Sequence, residues 1–262
     1  MQTLRQRFNP DGSPLRKQQL RMLDMLVWFD KVCRSNDIPY WLCSGTLLGA
    51  VRHGGFIPWD DDLDISMMRG DYERFRTLIQ KMPDAPFLLQ DHQTDSGYFF
   101  SYGKLRDPRT YLEETNGYDR IFGMRGIYID LLTFEKMPRW MNKIACASIG
   151  HSYKILRTST NDEQARRKVE RIYRFNARLL FPGLRWLARL IPTRWLHRSP
   201  GIPYRSRTTM QEIFPLSTVQ FEGYEFLAPH DTDAYLARMF GDYMQLPPLD
   251  SIHPHTNCVK GL

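Results

Sequence analysis

Four aspartates fall within five residues in Asp60-Asp61-Asp62-Leu63-Asp64. Asp62 and Asp64 flank Leu63. In an extended chain, whose side chains alternate sides, their carboxylates share one face while Leu63 and Ile65 turn to the core. Neighbouring carboxylates repel, and together they call for a divalent cation. Hard oxygen ligands suit Mg²⁺ or Mn²⁺, with water and substrate phosphates completing the shell. The competing reading is a solvated acidic turn after Pro58, against which the alternating Leu63 and Ile65 and the glycines upstream both count. Asp60 and Asp61 either hold waters on the cation or only orient the loop.

The elements around these residues follow from pattern. Residues 38–43 are aromatic and apolar enough for a short buried strand, Ser44-Gly45-Thr46 is turn and cap chemistry, and a helix opens at Leu47. The N–H groups at such a helix start suit a phosphate. Gly45 lets the backbone approach, Thr46 offers a hydroxyl, and Arg52 and His53 add donors. Lys104 and Arg106 alternate across Leu105 and so share a face, with a guanidinium able to grip phosphate by two bonds. Residues 126–134 alternate and are β-branched, a strand presenting Asp130 on one face. Amphipathic helices are expected over 15–36 and 72–82, strand and loop over 83–102, and a strand start at 111–112.

The run from Gly45 to Ile65, GTLLGAVRHGGFIPWDDDLDI, resembles the signature of the LicD/fukutin-type family, a branch of the nucleotidyltransferase-fold superfamily. Later blocks are similar in the same order: Lys104 to Thr110, Gly126 to Leu132, Phe221 to Phe226 with Pro229, and Tyr235 through Met244 with Pro247-Pro248. The resemblance implies an α/β (α+β) fold, a nucleotidyltransferase-like mixed sheet with flanking helices, in a single domain over 1–262. It also implies a reaction: a phospho-alcohol, typically phosphocholine from CDP-choline, moves to a hydroxyl of a surface glycan or lipid-linked glycan such as lipopolysaccharide, teichoic acid or capsule, and CMP leaves. Asp130 then becomes the third carboxylate beside Asp62 and Asp64, as cation ligand and candidate base. Lys104 and Arg106 would meet the phosphates or the cytidine. Trp41, Trp59 and Tyr243 sit near matched positions and are candidates to stack on donor or alcohol, a quaternary ammonium being drawn to aromatic faces. Two other readings remain open: a nucleotidyltransferase moving NMP to a small acceptor, and an inactive module on a membrane surface.

Composition permits such an enzyme. The 262 residues are 42% hydrophobic and 25% charged, ordinary for one globular domain. Cys33, Cys43, Cys146 and Cys258 form no CxxC pair or zinc spacing, so disulfide and zinc scaffolds are not expected. The first residues lack an apolar signal core, and no run approaches the ~18 apolar residues of a spanning helix. A cytoplasmic protein is expected, peripheral at the inner face of the membrane. The net charge of +7 is local: residues 165–198 hold ten Lys or Arg against Glu170 alone, leaving −2 for the rest. Apolar residues recur among these arginines near helical spacing, interrupted by Pro182 and Pro192. Residues 160–207 therefore read as a basic amphipathic helical insertion facing either anionic lipid or solvent. No nucleic-acid motif accompanies it, so nucleic acid is not an expected partner.

Overall fold

The computed structural model describes residues 3–114, 116–203, 207–248, 250, 252 and 259–261. His253 and His255, read from sequence as a possible cover over the site, lie outside them. The chain opens with α1 (Leu4–Phe8) and α2 (Pro14–Arg34). Pro14 needs no amide partner in the first turn of α2, and Ser13 caps it by accepting from the Arg16 N–H. Met22, Leu26, Phe29 and Cys33 recur at helical spacing and are buried. There follow β1 (Trp41–Leu42), α3 (Ser44–His53), β2 (Asp64–Met68), α4 (Arg69–Ile79), β3 (Leu88–Gln90), β4 (Gly103–Arg106), β5 (Tyr111–Leu112) and β6 (Tyr128–Lys136). After them come α5 (Arg139–Thr158), α6 (Asp162–Phe175), a π turn (Asn176–Leu180), α7 (Phe181–Ala188), β7 (Trp195–Arg198) and β8 (Arg207–Thr209). The chain ends with α8 (Met210–Ile213), β9 (Ser217–Phe221), β10 (Tyr224–Ala228), α9 (Thr232–Phe240) and β11 (Val259–Lys260).

Among the described residues a mixed sheet runs β1-β2-β6-β4-β3, with β7 joined to β6 and β8 to β7. This is the α/β architecture with flanking helices expected from sequence. β6 is its axis. It runs parallel to β2, with Asp64 beside Asp130, and antiparallel to β4, with Lys104 beside Asp130. Three strands therefore bring Asp64, Asp130 and Lys104 to one row, and partners in register share a face. The other face carries Ile65, Met67, Ile129 and Leu131, all fully buried, and α4 packs on β2 and β6.

Three expectations need correction. Asp62 is not in the strand: β2 begins at Asp64, because the Cys43 N–H reaches the Asp64 carbonyl and the Asp130 N–H the Leu63 carbonyl only at its end. α3 starts at Ser44 rather than Leu47. The stretch 160–207 is helical only to Ala188, since Trp195–Arg198 returns as β7 to pair with the far end of β6. Pro182, expected to interrupt the helix, sits at the second residue of α7, where the preceding π turn has already shifted the hydrogen-bond ladder.

Gly54, with φ +69, ends α3 in a left-handed turn, and the Gly55 N–H bonds back to the Gly49 carbonyl. A Cβ on Gly49 would stand 2.5 Å from the Gly55 carbonyl oxygen and 3.0 Å from the Ile57 nitrogen, both backbone atoms. Gly49→Ala is therefore expected to cost about 1–3 kcal/mol by overpacking, read as a lower urea midpoint with an unchanged slope.

Candidate active site

The carboxylates are set by backbone bonds. Thr46 Oγ1 accepts from the Asp64 N–H at 2.8 Å, tying the first turn of α3 to the start of β2. The loop from Pro58 to Leu63 is held from beneath by α2: Gln18 Nε2 donates to the Asp61 carbonyl and Gln19 Nε2 to the Asp60 carbonyl, both at 2.8 Å. A Cβ on Gly45 would lie 2.7 Å from Asp60 Oδ2, so the glycine lets that carboxylate close over the helix start.

A hairpin from the other end of the chain completes this bracing. Between β9 and β10, Glu222 and Gly223 both have positive φ, a two-residue turn of the primed kind. The Glu222 carboxylate takes two bonds from Arg16, at 3.0 and 2.6 Å, and accepts from the Phe56 N–H at 3.1 Å. Burial pushes this carboxyl up, but Arg16 and the Phe56 N–H outweigh it and hold it below the usual range.

Electrostatically the aspartates behave as one crowded group. Burial, then Asp60 and Asp130, raises Asp62 well above the usual carboxylate range. Burial, then Asp62 and Asp130, does the same to Asp64. Asp60 is pushed up to about 7 by burial and by Asp64 and Asp61. Asp130 is also raised by burial, against the pull of Lys104, whose Nζ lies 2.9 Å from Oδ1. That ammonium also sits 3.2 Å from the centre of the Tyr128 ring. Asp64 and Asp130 are in register on paired strands, and Asp62 precedes them at the end of the loop.

A divalent cation fits this donor set chemically, because the oxygens are hard, anionic and repel one another. Among the described residues no three acidic, imidazole or thiol groups already stand at ligand distance from one point. The carboxylates are neighbours whose repulsion a cation would relieve, rather than a formed cage. Asp62, Asp64 and Asp130 are the residues that would hold it.

The other residues singled out from sequence differ in where the fold places them. Gly45, Thr46 and Lys104 are at the carboxylates. Arg106 is not open to a ligand: it is 1% exposed and donates to Gln90 Oε1 and the Gly126 carbonyl, both at 2.7 Å, with Glu114 at 3.4 Å. Arg52, His53, Trp59 and Tyr243 gather at the opposite end of α3. Arg52 donates to the carbonyls of Tyr243 and Gln245 and to His53 Nε2, while Trp59 packs edge-on against Phe8 and His53. The nine residues from Ser44 to Arg52 make eight helical rises, ~12 Å, so Arg52 and His53 stand a helix length from Ser44, while Trp59 adjoins Asp60 in the chain. Trp41 is fully buried and stacks on Phe134, a core residue rather than a stacking platform for substrate.

His53 is lowered to about 4 by burial and by Arg52. Between its ordinary 6.5 and 4 the unfolded chain takes up a proton that the folded ring refuses, so His53 withdraws stability as pH falls through that window. Its ring resonances, assigned by comparison with His53→Gln, are expected to titrate near pH 4. Titration at the ordinary value would show an open, unpaired ring.

Arg198 went unsuspected in the sequence because it ends the basic stretch and counts there as one surface charge. It is fully buried, donates to Ser66 Oγ at 2.6 Å and Ser44 Oγ at 3.3 Å, and lies over the Phe134 ring. Its charge opposes the rise at Asp64. Ser44, with φ +50, holds the left-handed turn that points its hydroxyl there. Trp195-Leu196-His197-Arg198 has no apolar–polar alternation to mark it as a strand. A cleft of about 600 Å³ lined by Arg139, Lys143, His197 and Arg238 lies on the His197 side of β7, so the carboxylates do not line it.

The mixed sheet thus carries acidic groups near the starts of two adjacent parallel strands, with a glycine turn and a helix N-terminus beside them. Residues 37–155 match the family described as LicD/FKTN/FKRP, nucleotidyltransferase domain. The chain is 27% identical over 257 residues to the lipopolysaccharide cholinephosphotransferase LicD of Haemophilus influenzae, spanning 92% of this chain and 95% of that protein. It is 48% identical over 40 residues to the human ribitol 5-phosphate transferase FKRP, 15% of this chain and 8% of that one. A third match, an uncharacterized Rickettsia prowazekii protein, is 49% identical over 73 residues, 28% of this chain and 27% of its own. Residues 37–155 thus carry a LicD-family nucleotidyltransferase domain, and the LicD and FKRP relatives are named as cholinephosphotransferase and ribitol 5-phosphate transferase.

Proposed function

We propose that this protein transfers a phospho-alcohol, phosphocholine or a relative of it, from a CDP-linked donor to a hydroxyl of a surface glycan or lipid-linked glycan, releasing CMP. The observation that carries the reading is the row Asp64, Asp130 and Lys104 across three paired strands with Asp62 beside it. The named activities of the LicD and FKRP relatives supply the substrate class.

In the reaction the acceptor oxygen bonds to the alcohol-bearing phosphorus and the bond from that phosphorus to CMP breaks. The acceptor proton passes to a carboxylate of the cluster, for which Asp130 is the candidate. A donor diphosphate is anionic and repels an oxygen nucleophile, so its charge must be neutralised and the acceptor held in line. Mg²⁺ or Mn²⁺ on Asp62, Asp64 and Asp130 would supply most of that neutralisation. Lys104, on the same face as Asp130, adds a fixed positive charge. Gly45 and the N–H groups opening α3 offer the donor phosphates a dipole of matching sign.

The test is CMP release from CDP-choline, CDP-ethanolamine and CDP-ribitol, with Mg²⁺ or Mn²⁺ and a glycolipid acceptor. Release from one donor, abolished by chelation, supports the reading and names the alcohol. Pyrophosphate from CTP in place of CMP would make the protein a nucleotidyltransferase instead.

A further inference from the structure

The helices between β6 and β7 carry a surface that the transfer reaction does not use. α6, the π turn and α7 continue one into the next, since Phe175, Asn176, Leu180 and Phe181 all keep right-handed helical dihedrals. One side is committed: Phe181, Leu184 and Ala188 pack with Met141, Ala145 and Ile149 of α5 in a small core of their own. On the solvent side Phe175, Leu179, Trp186 and Leu190 stand open at spacings of four, seven and four, with Leu179, Trp186 and Leu190 each 64% exposed. The packing partner α5 exposes Trp140 and Ile144 as well.

The charge around these apolar residues has one sign. α5 holds no Asp or Glu, and none occurs between Arg171 and Gln211. The three acids of α6 are spoken for, Asp162 by Arg120, Glu163 by Arg167 and Glu170 by Arg174. Of the ten cations counted over 165–198, Arg198 turns into the active site and Arg185 pairs with Glu135. Arg171, Arg178, Arg189 and Arg194 remain on the exposed surface, interleaved with the apolar stripe. Among the described residues no helix is long and apolar enough to cross a membrane.

We propose that this face seats the protein on a bilayer carrying anionic headgroups, with Leu179, Trp186 and Leu190 entering the headgroup and acyl boundary and the arginines meeting lipid phosphates. Charge complementarity selects this occupant. A nucleic acid would take the cations but leave large apolar side chains in water, whereas an interfacial helix needs both. Tryptophan, with an apolar body and one N–H, suits that boundary.

The experiment is co-sedimentation of the full chain with vesicles of phosphatidylcholine alone or mixed equally with phosphatidylglycerol. Binding is expected only to the mixed vesicles, weakening as salt rises. A triple variant, Leu179→Ser with Trp186→Ser and Leu190→Ser, is expected to bind about tenfold more weakly or worse. Arg178→Glu with Arg189→Glu is expected to lose binding by a separate route. Each of these side chains is exposed, and an unchanged melting temperature and circular dichroism spectrum establish that the variants are folded. Absence of wild-type binding to mixed vesicles, or undiminished binding by either folded variant, overturns the proposal. So does a wild-type dimer that the triple variant dissolves to monomer while vesicle binding is unchanged, since the stripe would then be a contact between copies.

Discussion

Asp64→Asn is expected to lower CMP release by roughly 10³-fold, about 4 kcal/mol of transition-state stabilisation, while leaving the fold intact or firmer. The two effects separate because the residue does two things. Its backbone is structural: the N–H bonds Thr46 Oγ1 and the carbonyl accepts from Cys43, and asparagine keeps both. Its carboxylate is held among Asp62 and Asp130, which disfavour its charge, so removing that charge relieves repulsion in the free protein. Arg198 keeps Ser66 and Ser44 as partners. A purely structural Asp64 would give the opposite pattern, lost melting temperature with activity falling only in proportion. Mg²⁺ provides a second reading: it is expected to raise the melting temperature of the wild type, by binding only the folded state, and not that of the variant.

Arg106→Met is expected to cost about 3–5 kcal/mol of stability, the range for removing one partner of a buried charge pair. Arg106 ties β4 to Gln90 on β3, to the Gly126 carbonyl before β6 and to Glu114, while resting on the Tyr128 ring. Methionine fills much of the volume but leaves Gln90 Oε1 and the Gly126 carbonyl without those bonds, and Glu114 with Lys104 at 3.8 Å. Burial pushes Glu114 up, and Lys104 and Arg106 together more than reverse this, so losing one cation weakens its charged form. A urea midpoint measures the loss. If Arg106 gripped a phosphate instead, the defect would appear as a raised KM with the midpoint nearly unchanged.

The contrast between Arg106 and Lys104 shows where sequence reading works. Alternation across Leu105 placed both on one face, and both are there, but alternation carries no information about depth or partners. Asp130 was legible because a β-branched alternating strand leaves few places for a polar residue. Asp62 and Asp64 were legible as a pair, although β2 begins only at the second of them. Arg52, His53 and Trp59 were placed near the aspartates through proximity in the chain and Tyr243 through the resemblance, and the structure gathers all four around the C-terminal end of α3. Gln18, Gln19 and Glu222 were missed because each comes from a segment far away in sequence, and no local pattern marks a residue whose partner is distant; Arg198 was in addition counted with the basic stretch it ends. The strand β7 was hidden by the arginines around it, which suggested helix throughout.

Arg16 and Glu222 are 206 positions apart and close on the same glycine loop. A piece cut to residues 37–155 would keep Asp62, Asp64 and Asp130 yet lose α2, β7 and the β9–β10 hairpin, hence Gln18, Gln19, Arg198 and Glu222. During synthesis, too, the centre stays unfinished until Glu222 has emerged from the ribosome. The carboxylate site is therefore not portable as the segment that carries its acids, and any fusion or minimal version must span at least Arg16 to Glu222.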